Sequence, residues 1–412
     1  MIPSPFLSRG QLFSPGSKHL ILFPIAIFFW SFYDSIIAYL TPNIIESHGF
    51  THTFIGIIIA TSSIAGAIFD ILLGLFLHRP HYRRIWFVVI MLCSIHPFVL
   101  GLSTGVFGFI IAMCLWGLYY DLSNFAIFDF LGRHSPPKEH SRYSGIVTVF
   151  KSLGYFVGPL LAGLLINEGQ FFHGFSYALL FLTISFLILI ILDHQDGRPP
   201  PAPPPQRRRL SLIFEFRLWR QIGRGLFPVI VFGILLNSID ANYWTIGPLL
   251  SARFPQFADF GGIFLALYEL PLVFTGWLVA PLTQRFGKKR TAYYSIILSS
   301  VFLLPFIFLR LPLILLILNF IASLLSSFAW PAIRAAWADY VSESLAQENE
   351  ITAIQDLTAN LGYIIGPISA GIIADLSGPI AGFGLIGFIS LLVCLVLLRF
   401  TPRHIRLHLS VK

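Results

Sequence analysis

"LGYFVGPLLAGLL", residues 153–165, returns as "LGYIIGPISAGII", residues 361–373, a shift of 208 positions. The correspondence is not confined to that stretch. At a shift of 206, Asp34 falls on Asp240, Pro42 on Pro248, Gly56 on Gly262 and Arg79 on Arg285, while Asp129 and Asp339 lie 210 apart. Loops of unequal length produce drift of this size, so the chain reads as two copies of one unit. Each copy holds six apolar runs. They fall near 19–40, 53–77, 85–104, 106–130, 143–166 and 173–192, then near 225–250, 261–283, 291–309, 311–338, 350–374 and 379–399. About 20 apolar residues rising 1.5 Å each cross about 30 Å of hydrocarbon. The expected fold is therefore an all-α membrane protein: twelve transmembrane helices as two pseudo-symmetric six-helix bundles, residues 1–192 and 225–412.

Composition agrees. Hydrophobic residues make up 56% of the chain and charged ones 11%, and mean hydropathy is +0.79. Such a chain cannot present a wetted globular surface, and no polar stretch has room for a soluble domain of about 50 residues. The net charge of +8 reflects basic loops rather than a nucleic-acid partner. These loops lie on one side: Arg79, Arg83 and Arg84; Arg133, Lys138 and Arg142; the arginines of 198–224; Arg285, Lys288, Lys289 and Arg290; and the basic tail. Loops on the other side hold Arg253 and Arg310. The positive-inside bias puts both termini in the cytoplasm. Residues 193–224 form a cytoplasmic linker in which "PPPAPPPQRRR", residues 199–209, is an extended spacer. The arginines that follow alternate with Leu, Ile, Phe and Trp, which suits a short helix lying on an anionic leaflet.

Enzymatic chemistry finds no foothold. Cys93, Cys114 and Cys394 sit inside apolar runs, without metal-ligand spacing, as packing residues. The chain lacks GxSxG, HExxH and a phosphate-cradling glycine loop. "HSPPKEH", residues 134–140, brings two histidines and a glutamate close in sequence, but Pro136 and Pro137 break any helix that would set them on one face. No metal or cofactor is expected.

The 6+6 pattern, the long linker and "GWLVAPLTQRFGKKR", residues 276–290, resemble the major facilitator superfamily over nearly the whole chain. The stretch is similar to that family's loop motif through Gly276, Arg285, Gly287, Lys288 and Lys289, with Gln284 where the motif has an acid. The first-half counterpart, "LHRPHYRR", residues 77–84, keeps Arg79 but has His78 for the acid and His81 for the glycine. The resemblance implies a gate at this loop, with Asp356 as a substitute acid pairing with Arg79. "GYFVGPLLAG", through Gly154, Gly158, Pro159 and Gly163, looks like the fifth-helix motif of drug/proton antiporters. Its repeat at Gly362, Gly366, Pro367 and Gly371 equally suits close packing of helices, because small residues four apart let backbones approach. Exporters of this family often carry an arginine in the fourth span; "AMCLWGLYYDL", residues 112–122, has none.

Charges inside spans are costly and are functional candidates by default. Asp34, Asp240 and Glu269 lie roughly 9 to 15 Å below the span ends away from the basic loops, as an outer layer of three acids. They are the proton-coupling candidates, since burial favours the neutral acid and hydration the carboxylate. Asp70, Asp121 and Lys151 form an inner layer, in which an antiparallel hairpin of the fourth and fifth spans would join Asp121 and Lys151 as a buried ion pair. Structural roles suit Asp129, Asp339 and His96, the last as a satisfied core histidine. The resemblance places the first and seventh spans against a central cavity. The cavity candidates are Trp30, Tyr33, Tyr119, Tyr120, Asn124, Asn237, Asn242, Tyr243, Trp244 and Tyr268. Aromatic faces beside acids suit a cationic or amphiphilic organic solute.

The expectation is a secondary active transporter working by alternating access, coupled to protons, exporting a small organic compound. Uptake of a nutrient such as a sugar or organic acid is the rival on the same fold; a lipid scramblase or membrane-embedded enzyme is the rival of another class. Expected partners are a small-molecule solute and membrane lipids for a monomer in an inner or plasma membrane, with the proton as coupling ion.

Overall fold

Backbone amides find no partner in hydrocarbon, so an apolar run of this length must close its own hydrogen bonds as a helix. In the computed structural model, which describes residues 18–76, 82–135, 139–166, 171–195, 212–254, 259–343 and 348–401, every run does so. The first bundle contains α1 (Lys18–Ser47), α2 (His52–Phe76), α3 (Tyr82–Leu102), α4 (Val106–His134), α5 (His140–Ile166) and α6 (Phe171–Gln195). The second contains α7 (Leu212–Ile246), α8 (Phe260–Glu269) with α9 (Leu272–Phe286), α10 (Lys288–Leu303), α11 (Pro312–Ser327) with α12 (Ala329–Glu343), α13 (Glu348–Ser377) and α14 (Pro379–Phe400).

Three boundaries differ from the sequence reading. The basic second part of the linker, from Leu212, is the start of α7 rather than a separate helix; the proline-rich spacer lies outside the described residues. The eighth span is bent by 72° between Gly276 and Leu278, one turn before Pro281, because proline lacks an amide donor and crowds the carbonyl four residues earlier. Most consequentially, α1 continues past Pro42 to Ser47. Asp34 therefore stands near the middle of its helix, roughly 20 Å from Ser47, and not in an outer layer.

The repeated glycines set the packing within each half. A Cβ on Gly154 would meet Phe28 O and Ser31 Cβ, each at 2.7 Å, and one on Gly362 would meet Ile234 O and Asn237 Cβ. The shift of 206 carries Phe28 onto Ile234 and Ser31 onto Asn237, so α1 seats on α5 as α7 seats on α13. Gly158 against Phe32 and Ser35 likewise repeats as Gly366 against Ser238 and Ala241. The seams between halves repeat as well. Gly163 of α5 faces Asp259 and Gly262 at the start of α8, while Gly371 of α13 faces His52 and Thr53 at the start of α2. Gly56 abuts Pro367 O, and Gly262 abuts Pro159 O. The packing reading of the glycine motif is the one these contacts realise.

Across the two halves, the described hydrogen bonds gather at the end opposite the basic loops. Tyr39 OH and Ser251 Oγ pair at 3.0 Å. Asp375 accepts from His52 N (3.1 Å), Thr53 N (2.9 Å), Thr53 Oγ1 (2.6 Å) and His52 Nδ1 (2.7 Å). At the basic end the described hydrogen bonds stay within one half: Asp129 accepts from Tyr82 N and Arg133 Nε, and Lys288 Nζ binds Asp339 Oδ1 at 2.5 Å. Among the described residues, the hydrogen bonds that latch the halves together lie at one end. Arg334 and Asp356 are exposed although both belong to membrane-spanning helices.

Candidate functional site

A carboxylate buried at mid-span must have its lone pairs satisfied, and the donors around Asp34 meet that need. Tyr119 OH (2.8 Å) and Trp116 Nε1 (3.1 Å) from α4 donate to Oδ1, and Tyr155 OH from α5 donates to Oδ2 at 2.5 Å. Asp240 is held the same way. Tyr268 OH from α8 donates to Oδ1 at 2.6 Å, and Tyr363 OH from α13 donates to Oδ2 at 2.5 Å. Tyr155 and Tyr363 are the tyrosines of the repeated "LGY", so the carboxylate clamp is duplicated along with the helices. Glu269, beside Asp240, accepts from Trp244 Nε1 at 3.3 Å.

Lys151, on α5, lies among aromatic rings. Its Nζ donates to Tyr120 OH at 3.3 Å and Asn124 Oδ1 at 3.4 Å, and lies 4.7 to 6.0 Å from the ring centroids of Tyr120, Trp30 and Tyr155. The expected Asp121–Lys151 ion pair does not form. Asp121 instead lays its carboxylate over Gly66 and shares electrostatic reach with Asp70 and Asp356, because its place on α4 turns it toward α2 while Tyr120 and Asn124 turn toward α5. Asp70 Oδ1 has no partner among the described residues.

The cavity candidates divide. Trp30, Tyr120 and Asn124 surround Lys151; Tyr119 and Tyr268 hold the two aspartates; Trp244 binds Glu269 and packs edge-on against Tyr155 of the other half at 5.5 Å. Tyr33 is a correction: its hydroxyl donates to Cys93 O on α3 at 2.6 Å, inside the first bundle. Tyr243 is another, stacked on Tyr268 at 3.8 Å and packed with Phe264 and Phe383. Asn237 turns back to Gly233 O of its own helix (2.8 Å), and Asn242 is buried. His96 is the core histidine expected, fully buried against the Tyr119 ring at 5.5 Å with the Ala112 backbone beside it.

In the loop motif, Gly287 adopts φ +84° between α9 and α10. Lys288 grips Asp339 and Ala335 O, Lys289 lies 6.0 Å over Tyr340, and Arg285 lies 5.3 Å over Phe286; Gly276 is exposed. Arg79, the expected partner of Asp356, lies outside the described residues.

The model of the Major Facilitator Superfamily matches residues 22–257 and 230–410. The chain belongs to the major facilitator superfamily. Among this facilitator's relatives, multidrug resistance protein 2 of Bacillus subtilis is 21% identical over 82% of this chain and 84% of its own length. An uncharacterised MFS-type transporter of Methanocaldococcus jannaschii is 22% identical over 81% and 85%. The solved nucleoside transporter NupG shares the fold at a TM-score of 0.70, with 12% identity over 93% of this chain and 98% of that one. This facilitator is thus an integral membrane transporter, all-α, of two six-helix bundles.

Four site residues escaped the sequence reading. Tyr155 and Tyr363 were visible in the repeat itself, at nearly the same offset from the two aspartates. Arg334 on α12 was visible as a lone cation in an apolar span, the signal that singled out Asp34; it sits 210 positions after Asn124. Trp116 carries no such mark.

Proposed function

We propose that this facilitator is a proton-coupled exporter of small amphiphilic organic compounds, working by alternating access between its two bundles. The observation that carries the reading is the duplicated clamp. Asp34 ties α1 to α4 and α5, and Asp240 ties α7 to α8 and α13, each through charge-assisted bonds about twice as strong as neutral ones. Protonation removes that charge, and one oxygen becomes a donor facing donors. The clamp loosens on α5 and α13, the helices that also form the seams between the halves, so proton occupancy and the rocking of the halves become linked. Glu269 beside Asp240 supplies a third acid for the same proton path. The duplicated bundles supply the rocking bodies, as in other facilitators.

The multidrug relative and the aromatic walls of the cavity favour export of an amphiphilic compound. The basic loops favour cytoplasmic termini in an inner or plasma membrane, with the latched end outside and the cavity facing the cytoplasm. The protein is read as a monomer. Proteoliposomes holding a pH-sensitive dye test the reading: amphiphilic compounds should trigger proton movement under an imposed gradient, and Asp34→Asn or Asp240→Asn should abolish it. Solute flux indifferent to the gradient would refute coupling.

A further inference from the structure

The hydrogen-bond needs of the cavity are lopsided. Both oxygens of Asp34 and of Asp240 are already occupied by phenol and indole donors. The cations are not served in this way. Lys151 has only two neutral oxygens, at 3.3 and 3.4 Å, and no acid within ion-pair distance among the described residues. Arg334 makes no described hydrogen bond, lies 5.8 Å from the Trp330 ring, and is exposed although it sits roughly 12 Å inside its span. Tyr120 lies near both: its hydroxyl accepts from Lys151 and is within electrostatic reach of Arg334, as are Tyr363 and the already hydrogen-bonded Asp240. A guanidinium presents five N–H donors and an ammonium three, so the two cations hold donors to spare while both oxygens of the nearby Asp34 and Asp240 already have theirs.

We propose that Lys151 of the first half and Arg334 of the second form a subsite for an oxyanion, so that the transported solute is an aromatic organic acid, carboxylate or phosphate, rather than a cation. This rests on the reading that the central cavity receives the solute. The planar fork of Arg334 matches a carboxylate or phosphate bidentately, Lys151 adds a point charge, and Tyr120 and Trp330, both partly exposed, offer faces to the solute's rings. Because the two cations come from different halves, the anion would bridge the bundles, which is where a solute must act to bias their arrangement. The acids serve the proton and the bases the solute.

The test is thermal melting of the purified full chain, followed by tryptophan emission, with benzoate, phenyl phosphate and benzylammonium at about 10 mM each; bound ligand stabilises the folded state. Either anion, or both, should raise the melting temperature by about 3 °C, and benzylammonium should not. A response to one anion alone names which oxyanion the site takes. Arg334→Gln should weaken the anion response about tenfold and Arg334→Lys less. Asn124→Asp, which gives Lys151 an internal carboxylate and removes no cation, should weaken it as well. The proposal is overturned if benzylammonium stabilises as much as the anions, if none of the three does, or if Arg334→Gln and Asn124→Asp respond as the parent does. Proton-driven flux that fails while anions still stabilise would sink the coupling reading and leave this site standing; the opposite result would sink only the site.

Discussion

Asp375 closes the end opposite the basic loops, and removing it should open that end. Its carboxylate caps the start of α2 through the amides of His52 and Thr53, and also receives the Thr53 hydroxyl and His52 Nδ1. All four bonds cross between halves, so they exist only while the halves are together. When they part, water satisfies both sides, and only the net value counts. Loss of an N-terminal cap costs about 1 kcal/mol, and a partly exposed ion pair adds about 0.5–1 kcal/mol; the side chain of Asp375 is 31% exposed, so the lower values apply. A total of about 1.5 kcal/mol is roughly a 13-fold change in the closed-to-open ratio at this end. Spin labels at Thr51 and Leu376, both exposed and on opposite halves, measure it by pulsed dipolar spectroscopy with Cys114 replaced. Asp375→Ala should move a substantial fraction of molecules to longer distance. Glu46→Gln is the control, because Glu46 contacts His52 within one half at 3.5 Å and should leave the distribution unchanged. An unaltered distribution in Asp375→Ala, or an equal shift in both variants, would refute the latch.

Three further outcomes are expected. Tyr155→Phe and Tyr363→Phe each remove one donor to a buried carboxylate, worth about 1.5–3 kcal/mol, and should slow gradient-driven proton flux by at least about tenfold and to similar extents; one silent and one severe variant would break the equivalence of the two clamps. Gly287→Ala should lower the melting temperature, because φ +84° with ψ 150° costs a residue with a Cβ about 1–3 kcal/mol, whereas Gly276→Ala, in a helix with nothing within 4 Å of the added methyl, should not; equal melting of the two variants would show that backbone strain is absent. Asp339→Asn frees Lys288, but with side chains 50% and 38% exposed the pair is worth under about 1 kcal/mol, so a large drop in melting temperature would mean that this contact does more than tie α12 to α10.

The helices, their number and the repeat were legible in the order of amino acids alone, because each rests on local chemistry: apolar length sets a span, proline and glycine punctuate it, and a copied unit keeps its glycines where backbones touch. Asp34, Asp240 and Glu269 stood out in the same way, since an acid in an apolar run is conspicuous whatever surrounds it. What stayed open was direction. Tyr33 and Asp34 are neighbours in the chain but about 100° apart around the helix; one donates to Cys93 O on α3 and the other receives Tyr155 from α5. Tyr120 and Asp121 divide in the same way, which is why Lys151 finds a phenol and not the acid beside it. Depth was open too, because α1 runs through Pro42 and sets Asp34 at mid-span. That the two aspartates are saturated by phenol and indole donors, while Lys151 meets neutral oxygens, was decided by the packing of the bundles, because it depends on which side chains from several different helices reach the same few ångströms.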